Sequence, residues 1–205
     1  MLILYTNFIN MKNLLFLSLF WSFSTNLFSQ SLTLTNFNQE RNGLNRKGMI
    51  VLGSWAGANL ITNGILLSNS SGSNKYFYQM NIYWNVVNGA LAGLGVLGAK
   101  KSQGNLSAFQ TLEEQSSTEK TFLINTGLDA AYVMTGVYLL EKSKNSIDSQ
   151  DMLKGYGQSV ILQGGFLLLF DGIMYGVHRS HLKKGKAIFE NLTFTGNQVG
   201  FVWRF

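Results

Sequence analysis

The sequence predicts an all-α membrane protein, a four-helix transmembrane bundle with a small β-hairpin at the C-terminus. Three observations predict it. Four segments of about 20 residues, 49–67, 80–99, 121–140 and 159–177, contain no lysine, arginine or glutamate, and about 20 apolar residues cross a hydrocarbon core. Charged residues make up only 13% of the 205-residue chain, against about a quarter in ordinary soluble domains. The stretch from Leu192 to Phe205 alternates apolar and polar residues around Gly196-Asn197, a two-residue hairpin signal.

Residues 1–29 read as a signal peptide. Lys12 supplies the charged start, Leu14 to Phe23 the apolar stretch, and Ser29 the small residue before the cut. Met11 is the start that fits this pattern, because Met1 to Asn10 add nothing to it. The apolar stretch is short for a span of about 20 residues. Cleavage leaves an N-terminal tail, 30–48, ahead of the bundle, which covers 49–177. In that tail Ser31 to Thr35 alternates as a strand would. Four spans return both ends to one side, so this segment is expected beside the C-terminal hairpin.

A soluble bundle helix carries charges on its outer face. These four segments carry only Asp129 and Asp171. Basic residues instead flank them: Arg46 and Lys47, Lys100 and Lys101, Lys120, Lys142 and Arg179. Tyr76, Phe77, Tyr78, Tyr83 and Trp84 cluster at the start of the second span, as an interfacial aromatic belt would. Ser116 and Glu119 have capping-box spacing, which predicts that helix three begins before its membrane stretch. Ser149-Gln150-Asp151 predicts the start of helix four, running to about Lys184. The 178–205 tail is basic and ends in the hairpin.

Helices in lipid associate through close backbone approach and polar contacts. Small residues four apart occur in every span: Gly53 and Gly57, Gly89 and Gly93, Gly127 and Ala131, Gly172 and Gly176. Polar residues recur on one face of each helix. Helix one offers Asn59 and Asn63. Helix two offers Asn81, Asn85 and Asn88. Helix three offers Asn125, Asp129 and Tyr132. Helix four offers Asp171, Tyr175 and His178, with Gln163 further back. A carboxylate or amide facing lipid is expensive, so these faces are expected to turn inward.

Composition excludes several chemistries. Without cysteine there is no disulfide, thiol nucleophile or thiolate metal site. Gly93 to Gly98 matches the glycine pattern of dinucleotide sites, but it lies inside an apolar helix rather than after a strand. His178 and His181 stand three apart without further obvious ligands. Asp129 and Asp171 sit in Gly-Leu-Asp-Ala and Phe-Asp-Gly contexts, which lack the surroundings of intramembrane aspartyl hydrolases. The sequence therefore assigns no catalytic residue, no cofactor, no metal and no nucleic-acid partner. The expected partners are the lipid bilayer and a second copy or another envelope protein.

Two functions fit. The first is a non-enzymatic structural or interaction subunit of the bacterial envelope, with the polar seam as glue between helices. The second is a small channel or proton-coupled transporter using Asp129 and Asp171, since an intramembrane carboxylate is a functional hypothesis by default.

A leader ending before Gln30, Trp55 with Asn59, Trp84 with Asn88, and the aromatic tail resemble small four-span membrane proteins of Gram-negative Bacteroidota. The resemblance implies a bacterial envelope location, most simply the inner membrane. It implies no activity and transfers no functional residue.

The orientation signals conflict. Arg41, Arg46, Lys47, Lys100, Lys101, Lys120, Arg179, Lys183, Lys184, Lys186 and Arg204 lie on the side of the two ends. Only Lys75, Lys142, Lys144 and Lys154 lie on the other. Basic loops favour the cytoplasm, whereas a cleaved leader places both ends outside it. The leader is given the greater weight.

Overall fold

The computed structural model describes residues 11–101, 106–189, 192–195 and 198–201, with side chains for 33–99, 106–186, 188 and 189. Its elements are α1 (Met11–Leu67), α2 (Gly72–Lys101), α3 (Ala108–Ser143), α4 (Gln150–Lys184), α5 (Lys186–Phe189), β1 (Leu192–Thr195) and β2 (Gln198–Phe201). Four helices are long and apolar enough to cross a membrane: Thr33–Leu67 within α1, Gly72–Ala99, Ala108–Ser143 and Gln150–Lys184. They make the chain a membrane protein.

Each helix is inside-out by the standards of a soluble bundle. Ile61, Ile65, Leu94, Leu97, Ile124, Met134, Leu169 and Ile173 are all exposed. Amides and carboxyls are buried instead: Asn81, Asn85 and Gln163 are 0% exposed. Lipid solvates the first set and cannot solvate the second. The apolar core is small. Leu52, Ala92, Phe122, Leu167, Phe170 and Met174 form it, with Trp84, Phe166 and Tyr175 packed against it.

The helix ends follow local chemistry. Ser107, not Ser116, caps α3: its hydroxyl accepts from the Gln110 amide, and the Gln110 side chain accepts from the Ser107 amide. Ser116 and Glu119 lie inside α3, and Glu119 is buried against α4 rather than reaching back to a helix end. Ser149 stands at the N-cap of α4, and Asp151 in the first turn complements the helix dipole. The helix ends at Lys184, with His181, Lys183 and Lys184 in its last turn. Gly72 opens α2 at φ +55°, the left-handed region that favours glycine.

Ser31 to Thr35 forms part of α1 and not a strand. Five alternating residues are too few to outweigh a helical face that continues through Phe37, Asn38 and Arg41, all buried against other elements. At the other end β1 pairs antiparallel with β2, Leu192 opposite Phe201 and Phe194 opposite Val199. The Gly196-Asn197 turn, and Trp203 and Phe205 beyond β2, lie outside the described residues, as do Met1 to Asn10.

α4 is the hub of the bundle. It packs along α3 on one side and α2 on another, while α1 packs along α2. α2 and α3 barely meet. The bundle is therefore open between them, and a cleft runs there.

The close helix approaches are not at the predicted glycine pairs. A Cβ at Gly57, Gly93, Gly127, Gly172 or Gly176 would meet nothing within 4 Å. Gly53 and Gly89 make only ordinary contact with Ala92 and Ala56. Backbones touch instead at Gly136 and Gly157, where α3 crosses α4, and at Gly155, which lies on the α2 backbone at Ser73 and Phe77. Small residues permit close approach on any face, but helix rotation selects which face is used.

Candidate functional site

The polar residues fall into three groups along α4, centred on Gln163, Asp171 and His178. At 1.5 Å per residue these lie about 12 Å and about 10 Å apart. Buried Leu167 and Phe170 separate the first two, and Met174 separates the last two.

The Gln163 group ties three helices together. Trp55 Nε1 on α1 donates to Gln163 Oε1 at 2.9 Å. Gln163 Nε2 donates to Asn81 Oδ1 on α2 at 2.7 Å and to Asn59 Oδ1 on α1 at 3.3 Å. Asn59, Asn63 and Asn85 also donate to backbone carbonyls four residues earlier, at Trp55, Asn59 and Asn81. Each such bond gives an amide nitrogen an acceptor within an apolar layer, while Asn81 Nδ2 and Asn85 Oδ1 have no partner among the described residues. The Trp55 indole stacks on Phe166 at 4.0 Å, which holds it in place to donate.

The middle group is the candidate site. Asp129 on α3 and Asp171 on α4 face each other, and the Asn125 side chain, one turn before Asp129, reaches the Asp171 carboxyl. Both carboxyls are buried. They sit in a cleft of about 370 Å³ to which all four helices contribute: Met49 and Leu52, Trp84 and Asn88, Asn125 and Tyr132, Leu167 and Phe170. Among the described residues, no lysine or arginine lines it. Asp129 Oδ2, Asn88 Nδ2 and Trp84 Nε1 are buried without hydrogen-bond partners among the described residues. Trp84 packs edge-on against Tyr132 at 5.0 Å and so turns inward, not toward an interfacial belt. The arrangement offers oxygen ligands and proton acceptors around a small space. Among the described residues, no group of three or more His, Asp or Glu could hold a metal ion.

The third group closes the end of the bundle where α1 and α3 enter and α4 leaves. His178 is 0% exposed, stacked on Phe122, and has no partner at either ring nitrogen among the described residues. Its carbonyl accepts from Gln115 Nε2 at 2.8 Å, and the same nitrogen donates to Glu119 at 3.1 Å. Glu119 also pairs with Arg179 at 3.3 Å. His181 stacks on Phe37, approaches Gln115 Oε1 at 3.4 Å, and lies 3.4 Å from the Glu40 carboxylate. Asn38 donates to the Thr111 hydroxyl at 2.8 Å, and Arg41 Nη1 to the Thr111 carbonyl at 3.3 Å.

The structure thus brings together five of the sequence-selected residues: Asp129, Asp171, Asn88, Asn125 and Tyr132. Asn59, Asn63 and Asn85 belong to the layer around Gln163. Tyr175 packs on the apolar core, and His178 lies in the end cluster. Thr111 and Gln115 escaped the sequence reading, and Arg41 entered it only as a basic residue that bears on orientation. The signal for Arg41 was the apolar and polar face Phe37, Asn38, Arg41 that leads without interruption into Leu52 and Ala56.

A family model described as a family of unknown function, DUF6992, matches residues 51–172. The match takes in the Gln163 group and the carboxyl pair. No curated protein and no solved structure matches the chain. Because the match covers more than half of its length, the chain belongs to the DUF6992 family of unknown function.

Proposed function

We propose that the chain is a non-catalytic inner-membrane protein of the bacterial envelope whose carboxyl pair takes up a proton or a small cation within the bundle. One observation carries the reading. Asp129 and Asp171 come from different helices and meet in a cleft without a neutralising lysine or arginine. Placing even one carboxyl in an apolar bundle is costly, and placing two together without a role is more so. The apolar layers above and below Asp171 argue for a site closed to water from both ends and reached by helix movement, not for an open water-filled pore. The leader-like segment 11–29 supports the envelope location.

The test uses purified protein in liposomes loaded with a pH-sensitive dye. The expected result is a proton flux, driven by a proton or sodium gradient, that the shape-conserving Asp129→Asn and Asp171→Asn variants each reduce at least tenfold. Equal flux from wild type and from assembled variants overturns the reading.

A second reading, a structural or interaction subunit, is favoured by one observation: Gln163 fastens α4 to α1 and α2 with three side-chain hydrogen bonds. Variants at Asp129 and Asp171 that leave assembly and flux unchanged support it.

A further inference from the structure

The geometry points to a phospholipid site at Arg41, in which the guanidinium holds the headgroup phosphate and Glu114 holds a headgroup ammonium. Arg41 is 1% exposed, and its only hydrogen bond among the described residues is the 3.3 Å bond from Nη1 to the Thr111 carbonyl; Nη2 has no partner. A buried guanidinium so sparsely bonded is costly unless an anion completes it. Arg41 lines a pocket of about 270 Å³ between α1, α2 and α3. Glu114 also lines that pocket and attracts Arg41 without forming an ion pair with it.

The pocket has two chemistries. Arg41, Asn42, Asn45, Glu114 and Thr118 make its polar end, and Met49, Gly95, Gly98 and Ala99 its apolar end. A Cβ at Gly98 would meet nothing within 4 Å, whereas one at Gly95 would meet the Met49 side chain, so the room at the apolar end lies toward Gly98. Its depth also fits. Arg41 lies eight residues before Met49, Ala99 precedes Lys100-Lys101, and Glu114 and Thr118 precede the apolar part of α3. All lie at or beyond the ends of the apolar segments, on the headgroup side of the hydrocarbon core. A guanidinium matches phosphate oxygens bidentately. A carboxylate on the facing wall distinguishes a zwitterionic phosphoethanolamine head from a purely anionic one. The site shares only the wall residue Met49 with the cleft of the carboxyl pair, and its polar groups are different ones.

The test is native mass spectrometry of the full chain in detergent with added phosphatidylethanolamine, phosphatidylglycerol or inorganic phosphate. Wild type is expected to retain phosphatidylethanolamine at least fivefold better than phosphatidylglycerol. Glu114→Gln, at an exposed position, is expected to bring the two to parity without loss of phosphatidylglycerol binding. Arg41→Gln is expected to lose both lipids. If Arg41→Gln fails to fold, the Glu114→Gln comparison alone decides. Parity of the two lipids on wild type, an unchanged preference in Glu114→Gln, or full displacement of lipid by millimolar inorganic phosphate each overturns the proposal. The last outcome assigns the pocket to free phosphate.

Discussion

Gly136 on α3 and Gly157 on α4 stand face to face, and a Cβ built on either would lie 2.8 Å from the carbonyl oxygen of the other. No side chain can swing away to relieve that approach, because both obstacles are backbone. Gly136→Ala and Gly157→Ala are therefore expected to destabilise the bundle by about 1–3 kcal/mol each, the usual cost of overpacking. Gly57→Ala and Gly93→Ala, whose added methyl groups meet open space, are expected to change little. Unfolding titrations in mixed detergent micelles would separate the two classes. Equal effects from all four would refute the crossing geometry.

Gln163 accepts from Trp55 on α1 and donates to Asn59 on α1 and Asn81 on α2. Gln163→Leu keeps the approximate volume but strands Trp55 Nε1 and Asn81 Oδ1 in an apolar layer. The expected loss is about 1–2 kcal/mol, the upper part of the range for interhelical hydrogen bonds in membranes. Trp55→Phe removes one of the three bonds and keeps the stacking on Phe166, so a smaller loss is expected. The same titrations measure both.

The cleft at the carboxyl pair is rimmed by exposed Val87, Leu91 and Leu128, and so opens toward lipid. A hydrophobic carbodiimide, which partitions into lipid, is expected to modify Asp129 or Asp171 ahead of the other carboxyl groups. Peptide mapping of the treated protein would read the site. Modification confined to Glu113, Glu114, Glu141 or Asp148 would show that the cleft is closed to the bilayer.

Ile147, in the turn between α3 and α4, is 95% exposed. Four crossings place it on the opposite side from the C-terminal strands. The cysteine-free chain allows Ile147→Cys and Thr195→Cys to be labelled separately with an impermeant maleimide. With a cleaved leader, Thr195→Cys is expected to label before cell lysis and Ile147→Cys only after it. The reverse pattern would place both ends in the cytoplasm, and simultaneous labelling would rule out four crossings.

The number and type of long helices were legible in the sequence because span length and missing charge are one-dimensional properties. The end of α4 at Lys184 was legible for the same reason, since a run of basic residues follows the apolar stretch. The rotation of each helix was not. Gly53-x-x-x-Gly57 and Gly136 differ little as local sequence, yet only Gly136 meets another backbone. Asp129 and Asp171 were each conspicuous, but their meeting depends on α4 lying between α2 and α3, a relation that no local pattern encodes. Glu119 shows the same limit. Its spacing from Ser116 suits a cap, but its carboxylate serves Gln115 and Arg179 instead.

The central position of α4 also orders biogenesis. α1 and α2 can pair as soon as both are made, since they pack along each other. α3 then enters the bilayer with little helix surface to join, because its main partner has not yet been synthesised. Its buried face, with Asp129 and Gly136, must wait beside lipid or beside the insertion machinery until α4 arrives. The last helix made is thus the one that completes the fold, and an interruption of translation near Gln150 would strand α3 with its carboxyl unsheltered.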